Sequence, residues 1–446
     1  MQAKIRPGAY FEFAGASMNN TASGSSGIAV LPVALPWGAT GTLISITAED
    51  YLRGKKTAQI GIMLGDTSES ALCVQEAFKY CYELLLYRVA DTSTAAAATL
   101  SLATGVILTA KYVGSAGNNI SVAVKANPLG GYDVQTYYRD TLQDTQTIAD
   151  WSELAANDWF TPTIGDTPAA LAEAAAQALT GGTDGSPALS TQNAEELISL
   201  LTVTDFAVLA VPSSEGAIAA LFKDFVRNCR DNLRKYVQAV VLNGGAVDYE
   251  GIINVMPQSY TLADGTVCSS TVLVCAVTAM SAGAVVPQSN TNRILSGAVD
   301  ISTTLTPNEI DAALMSGEFV FAKRIDGAVS VVQDINSLTS FTAEHPVGFN
   351  KNRILRILGD ICTQIRTVFE TGFQGYANND EASRGVLLAA VVEILQSAQN
   401  AGAIQEFDAE TDVQIYEGLS LEDVVLQLAV RPIDAMEKLY VTVNLS

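Results

Sequence analysis

The residues that could do chemistry in this chain are few: one histidine, six cysteines and some local clusters of charge. His345 sits directly before Pro346. Histidine is the usual general base near neutral pH, so a Ser-His-Asp triad would have to use it. No G-x-S-x-G nucleophile turn accompanies it, and His345 reads as a structural loop residue. Cys73, Cys81, Cys229, Cys268, Cys275 and Cys362 form no C-x-x-C pair. With a single histidine they cannot build a typical zinc site. Several lie in apolar stretches, so buried free thiols in a reducing compartment are expected. Asp408, Glu410 and Asp412 alternate at strand spacing and read as a solvated edge rather than a metal loop. Gly54-Lys55-Lys56 lacks the spacing of a phosphate loop. Gly181-Gly-Thr-Asp-Gly185 reads as a turn between two helices, whereas a nucleotide fingerprint follows a strand. No catalytic residue, cofactor or metal ligand is therefore expected.

One basic cluster remains. The segment from Lys351 carries Lys351, Arg353, Arg356 and Arg366 against Asp360 and Glu370, in a chain whose net charge is −22. Ile354, Leu358, Ile361, Ile365 and Val368 recur at helical spacing and form an apolar seam. Arg353, Arg356, Asp360, Thr363 and Thr367 fall on another face. That face is either an ordinary solvated stripe or a docking surface for an acidic partner, since guanidinium forks bind carboxylates bidentately.

The elements that position these groups follow from periodicity. Strands are expected at Ile28–Leu35, Leu43–Thr47 and Leu85–Val89, with a helix through Val74 and Phe78 between them. Strands at Val106–Val113, Ile120–Ala126 and Tyr132–Tyr138, separated by Gly-rich turns, predict an inserted β-domain. Pro168–Leu179 is Ala-rich, with Thr167 as N-cap, and predicts a helix. From 190 to 345 helices and buried strands alternate, as in a doubly wound parallel sheet. Thr306-Pro-Asn-Glu309 predicts a capped helix start and Asp326-Gly327 a hairpin turn. Two long helices, about Lys351–Thr371 and Asp380–Ala401, precede strands at Asp412–Tyr416 and Val424–Arg431. Thr271–Val286 is uncharged but too short for a membrane span, so a buried core helix is expected. Lys4 and Arg6 precede no apolar leader core, so no secretory peptide is read. The acidic charge disfavours nucleic acid as a partner.

Both chain ends read as strands without a nearby partner. Leu439, Val441, Val443 and Leu445 alternate with Tyr440, Thr442 and Asn444, and Tyr10, Phe11 and Phe13 lie in a strand-like start. A lone strand leaves backbone groups unpaired and seeks another sheet edge, here that of a neighbouring molecule. Charged residues are only 16% of the chain, low for a solvated surface and consistent with burial against copies of itself.

Several segments together are similar to contractile tail sheath proteins of Gram-positive myophages, phage-like bacteriocins and defective prophages. They are Pro7-Gly-Ala-Tyr10, Lys111-Tyr-Val-Gly-Ser-Ala-Gly-Asn-Asn-Ile120, Asp248-Tyr-Glu-Gly-Ile-Ile-Asn-Val255, Ser330-Val-Val-Gln-Asp-Ile-Asn-Ser-Leu338 and Leu428-Ala-Val-Arg-Pro-Ile-Asp-Ala-Met-Glu-Lys438. The resemblance implies an α/β multidomain fold whose subtilisin-like core lacks protease activity. It implies a strand arm at 1–27, an α/β segment of the core at 28–90 and an inserted β-rich domain with its following helix at 91–180. The subtilisin-like domain would occupy 181–345, and a C-terminal domain ending in the second arm 346–446. It further implies hexameric rings stacked helically on a tail tube and contacts to baseplate and tail-terminator proteins. Assembly in the bacterial cytoplasm, with no cofactor, nucleic acid or membrane insertion, completes that picture. Lys351, Arg353 and Arg356 are then the candidate tube contacts. Two other readings stay open: a cytosolic α/β hydrolase, and a static filament or shell protein.

Overall fold

Alternate residues of Ile28–Val33 (β1) enter two different hydrophobic cores: Ala29, Leu31 and Val33 point into one and Val30 into the other. A strand buried on both faces belongs in the middle of a covered parallel sheet. The computed structural model describes residues 27–91, 93–245, 247–342, 345–419 and 421–443. Tyr10, Phe11, Phe13 and Leu445 therefore lie outside the described residues.

After β1 come Leu43–Thr47 (β2), the short helices Ala48–Leu52 (α1) and Thr57–Ile60 (α2), Glu69–Phe78 (α3) and Glu83–Arg88 (β3). The last residue of β3 is a buried arginine. Arg88 donates from Nε to Leu35 O (3.0 Å) and from its terminal nitrogens to Gly38 O (2.6 Å) and Val113 O (2.8 Å). Burial pulls its guanidinium below the ordinary arginine range, and the nearby Asp184 carboxylate opposes this. Val113 belongs to the inserted domain, so Arg88 rivets two folding units.

The insert contains Thr99–Ala103 (β4), Val106–Ala110 (β5), Ile120–Ala126 (β6), Tyr132–Tyr138 (β7), Thr141–Ile148 (β8), Phe160–Ile164 (β9) and Ala174–Ala178 (β10). Sheets in the orders β4-β5-β9 and β10-β6-β7-β8 close over one core. That core includes Trp37 from the loop after β1; Trp159 stacks on both Tyr138 and Trp37. The helix expected over Pro168–Leu179 is instead strand β10. Ala174 pairs with Val124 and Gln177 with Val122, and Leu179 is fully buried beyond it. Alanine's helical preference is only a few tenths of a kcal/mol per residue, whereas an unpaired β6 edge would strand a row of backbone groups. The Gly181–Gly185 turn therefore follows a strand rather than a helix, yet its work is structural. Thr183 bridges to Ala96, and Asp184 accepts from the Ser115 amide and hydroxyl.

The chain then returns to the first sheet through Thr191–Val203 (α4), Val208–Val211 (β11), Gly216–Asp231 (α5), Gln238–Leu242 (β12) and Ile252–Val255 (β13). Tyr260–Leu262 (β14), Val267–Cys268 (β15) and Ala298–Ile301 (β16) make a small side sheet around Ser270–Ala282 (α6). Eleven of the thirteen α6 residues are buried, so this uncharged segment is a core helix; among the described residues no helix is long and apolar enough to cross a membrane. Thr306 and Glu309 form the expected capping box on Pro307–Met315 (α7). Glu318–Phe319 (β17) then precedes the antiparallel hairpin of Phe321–Lys323 (β18) and Val329–Val331 (β19). The main sheet runs β17-β13-β12-β11-β1-β3-β2, parallel except for β2. Helices α3 and α6 cover one face, and α4 and α5 the other. Segments 28–90 and 187–337 thus share one sheet, with the β-domain inserted between them.

The last region pairs Asn352–Gly372 (α8) with Glu381–Asn400 (α9) through Ile357, Ile361, Leu387, Val391 and Leu395. Val413–Glu417 (β20) and Val424–Leu428 (β21) form a separate antiparallel ribbon. Replacing Arg88 with leucine should orphan three carbonyls, those of Leu35 and Gly38 in buried surroundings, and destabilise the chain by about 3 kcal/mol or more. Urea unfolding of the variant checks this; a change below ~1 kcal/mol would show that Arg88 is no rivet.

Candidate functional site

The places where chemistry could occur are filled by structure. His345 Nδ1 lies 3.7 Å from Glu250 Oε2, and its ring meets Phe349 edge to face. Glu250 also faces Arg230 at 3.9 Å, so the histidine belongs to a charge cluster. A crevice of about 550 Å³ opens at the carboxyl ends of β1, β11 and β12, where doubly wound sheets bind ligands. Pro187, Ala188 and Leu189 of the returning chain line it, together with Cys73. That thiol is buried and pushed well up by its hydrogen bond to Cys275 and by burial. Five cysteines are buried and free as expected, but Cys362 is exposed. Asp408, Glu410 and Asp412 form a turn rather than a solvated strand edge: Asp412 is buried, accepts the Asp408 amide and faces Arg431 at 3.9 Å. Among the described residues no group of three or more His, Cys, Asp or Glu could hold a metal.

The basic cluster is real, but its geometry differs from a solvated stripe. Asp360, Thr363 and Arg356 turn toward the central domain, where they line a cavity with Ala207, Val208 and Gln238. The approach is tight: a β-carbon on Gly359 would sit 2.9 Å from Tyr236 Cβ. Arg356 is 15% exposed and lies 3.6 Å from the buried carboxylate of Asp334, which also accepts from the Asn290 amide and Asn352 Nδ2. Lys351 stands at the N-cap of α8, where the helix dipole disfavours positive charge. It is compensated by Glu437, which also accepts from Gln333 (2.6 Å) and Thr291 (2.7 Å). Burial pushes the Glu437 carboxyl up, but these three donors together hold it below its ordinary value. Arg353 is half-buried and, among the described residues, has no carboxylate partner within ion-pair distance. Sequence periodicity places the three cations on α8 but gives no sign of Asp334 or Glu437, which approach from loops distant in the chain.

Glu437 is also where the chain end leaves the body. Directly after it, Leu439, Tyr440, Val441 and Val443 are 70–87% exposed and, among the described residues, pair with no strand. The β20–β21 ribbon packs one face on α9, and its two outer edges have no strand partner among the described residues.

Four regions of the chain match described domains of phage tail sheaths. The Gp18 domain III N-terminal region matches residues 26–89 and the β-sandwich domain 91–184. The central domain matches 187–337 and the C-terminal domain 344–446. The chain is 34% identical to the phage-like element PBSX protein XkdK of Bacillus subtilis, over 99% of this chain and 98% of that one. It superimposes on the sheath tail protein of Desulfitobacterium hafniense with a TM-score of 0.82 at 32% identity, covering 97% and 99% of the two chains. The sheath tail protein Lin1278 of Listeria innocua gives 0.78 at 31%, covering 94% and 95%. Domain order, β-insert, shared sheet and whole-length identity agree: the chain belongs to the phage tail sheath family, a structural subunit of contractile tails and not an enzyme.

Proposed function

We propose that copies of this chain stack as hexameric rings on a tail tube and that their terminal arms knit the rings into one contractile mesh. The observation that carries this reading is the exposed run Leu439–Val443, held at its root by Glu437 and, among the described residues, paired with no strand. Four large apolar side chains in water on an extended segment are unfavourable unless another molecule covers them. The free edges of the β20–β21 ribbon are suitable acceptors, because an isolated two-stranded ribbon gains stability from every strand added. The N-terminal arm with Tyr10, Phe11 and Phe13 would supply a further strand. Its linker, 14–27, spans at most ~45–50 Å fully extended.

The doubly wound sheet is the part that corresponds to the subtilisin-like core, and it moves as a rigid body. Extended and contracted sheaths are then two packings of one fold. Burying even ~100 Å² more apolar surface per subunit would yield ~2.5 kcal/mol, repeated at every subunit. The N-terminal turn of α8 is the proposed tube contact. Within it Arg353 has the free charge, while Lys351 and Arg356 hold the helix in place. Baseplate and tail-terminator proteins would cap the two ends of the stack, and assembly would proceed in the bacterial cytoplasm.

Removing the last nine residues, 438–446, should leave a folded monomer that makes no sheath; normal sheaths in negative stain would refute the arm model. Arg353→Glu should block assembly on tubes while permitting tube-free polymers, and unchanged tails would remove α8 from the tube contact. Glu437 has a depressed carboxyl, so its contribution is full above the unfolded value and is lost as pH falls through the lower folded one. Hydrogen exchange in the 433–438 segment should accordingly rise below about pH 4 and rise at neutral pH in Glu437→Gln. Equal protection of that variant and the parent at neutral pH would show that the root is held by something else. A static filament, the competing reading, would show one lattice length where a contractile sheath shows two.

A further inference from the structure

Six buried side-chain polar atoms among the described residues lack a hydrogen-bond partner, and four of them lie on segments joined at one interdomain junction: Ser281 Oγ, Asn290 Nδ2, Arg353 Nε and Arg356 Nε. All four can donate. Buried donors without acceptors cost about 1–3 kcal/mol each, so their concentration at one junction needs a cause. The junction joins the C-terminal end of α6, the loop from Gln288 to Arg293 and the first two turns of α8. Arg293 donates to Met280 O (3.2 Å) and Asn290 Oδ1 (2.8 Å), and Arg356 donates to Gln288 O (3.5 Å).

Charge tells the same story. Arg293 and Arg353 both lie close enough to Arg356 to disfavour its charge, and Asp334 is the carboxylate that favours it. Three guanidinium groups thus share one carboxylate, leaving two positive charges in excess. Widening the circle to Arg230 with Glu250, to Asp360, and to Lys351 with Glu437 and Asp434 balances the charge, so the excess is local to the guanidinium groups around Asp334. Burial raises the Asp360 carboxyl, and its hydrogen bond from Gln364 opposes this. In a chain of net charge −22 a buried cationic excess is unusual. Arg356 and Ser281 line a cavity of about 110 Å³, several times the roughly 10–15 Å³ that one water needs.

We propose that this junction is a binding site for a divalent tetrahedral oxyanion of the phosphate type, held by Arg356 and the Ser281 hydroxyl within the field of Arg293 and Arg353. Such an ion accepts from several donors at once and cancels the charge excess, which water cannot do. It would fasten α8 to the central domain from inside, independently of any tube or neighbouring subunit.

Inorganic phosphate is the probe, applied to the purified, unassembled full chain in the absence of tube. The melting temperature should rise saturably with phosphate relative to chloride at matched ionic strength, and calorimetry should find one site per chain. Ser281→Ala and Arg356→Gln should weaken that binding roughly tenfold or more, the effect of losing one charge-assisted hydrogen bond. Because Arg356→Gln also exposes Asp334 and could unfold the chain, Ser281→Ala serves as the variant that keeps every ion pair. Identical melting in phosphate and chloride would overturn the proposal, as would full phosphate binding by Ser281→Ala and a folded Arg356→Gln. Acetate binding as tightly as phosphate would overturn the tetrahedral dianion and assign the site to a carboxylate. Since neither tube nor lattice is present, these outcomes are separate from the fate of the tube-contact reading.

Discussion

Ala29 and Val30 pair in parallel with Val208 and Leu209, across the whole inserted domain. This contact sets the rest of the molecule in place. It joins the strands before the insert to those after it, and it divides the apolar residues of β1 and β11 between two helical layers. Closing so long a loop costs chain entropy, which the burial of a continuous sheet must offset. Parallel pairing also forces crossovers through helices, and so α3 to α6 are where they are.

The junctions follow from that sheet. The insert leaves after β3 and returns before α4, and Arg88 stands at its exit with three carbonyls in hand. Trp37 enters the sandwich core from the other side, and Tyr138 donates back to Gly61 O. The C-terminal domain is attached differently. Its contact with the central domain is largely polar and charged, through Asp334 with Asn352 and Arg356, and through Thr291 and Gln333, which donate to Glu437. A core of hydrophobic residues holds the insert, whereas a charged seam holds α8. Seams of that kind respond to ions and pH more readily than an apolar core does.

The proposed arm model turns on the chain end. Glu437 is anchored by three donors, and the next residues are bare. On the proposed arm model, a firm root and an uncovered segment would let a neighbour be held at a set distance while the bodies reorient. Work of that kind would need no catalytic residue; His345 lies against Glu250, and five of the six cysteines are buried.

Much of this was legible in the residues themselves. Continuous apolar runs such as Val208–Val211 marked the parallel strands, and Thr306-Pro-Asn-Glu309 marked a helix start. Those signals are local, set by side-chain period and capping chemistry, so they need no neighbours to be read. Other features were decided only by tertiary structure. Ala174–Ala178 became a strand because β6 had an edge to fill. Lys351 and Arg356 turned inward because Glu437 and Asp334, supplied by other loops, converge on them. Propensity differences of tenths of a kcal/mol yield to the cost of an unpaired edge or an uncompensated buried charge, and that cost exists only once distant segments have met.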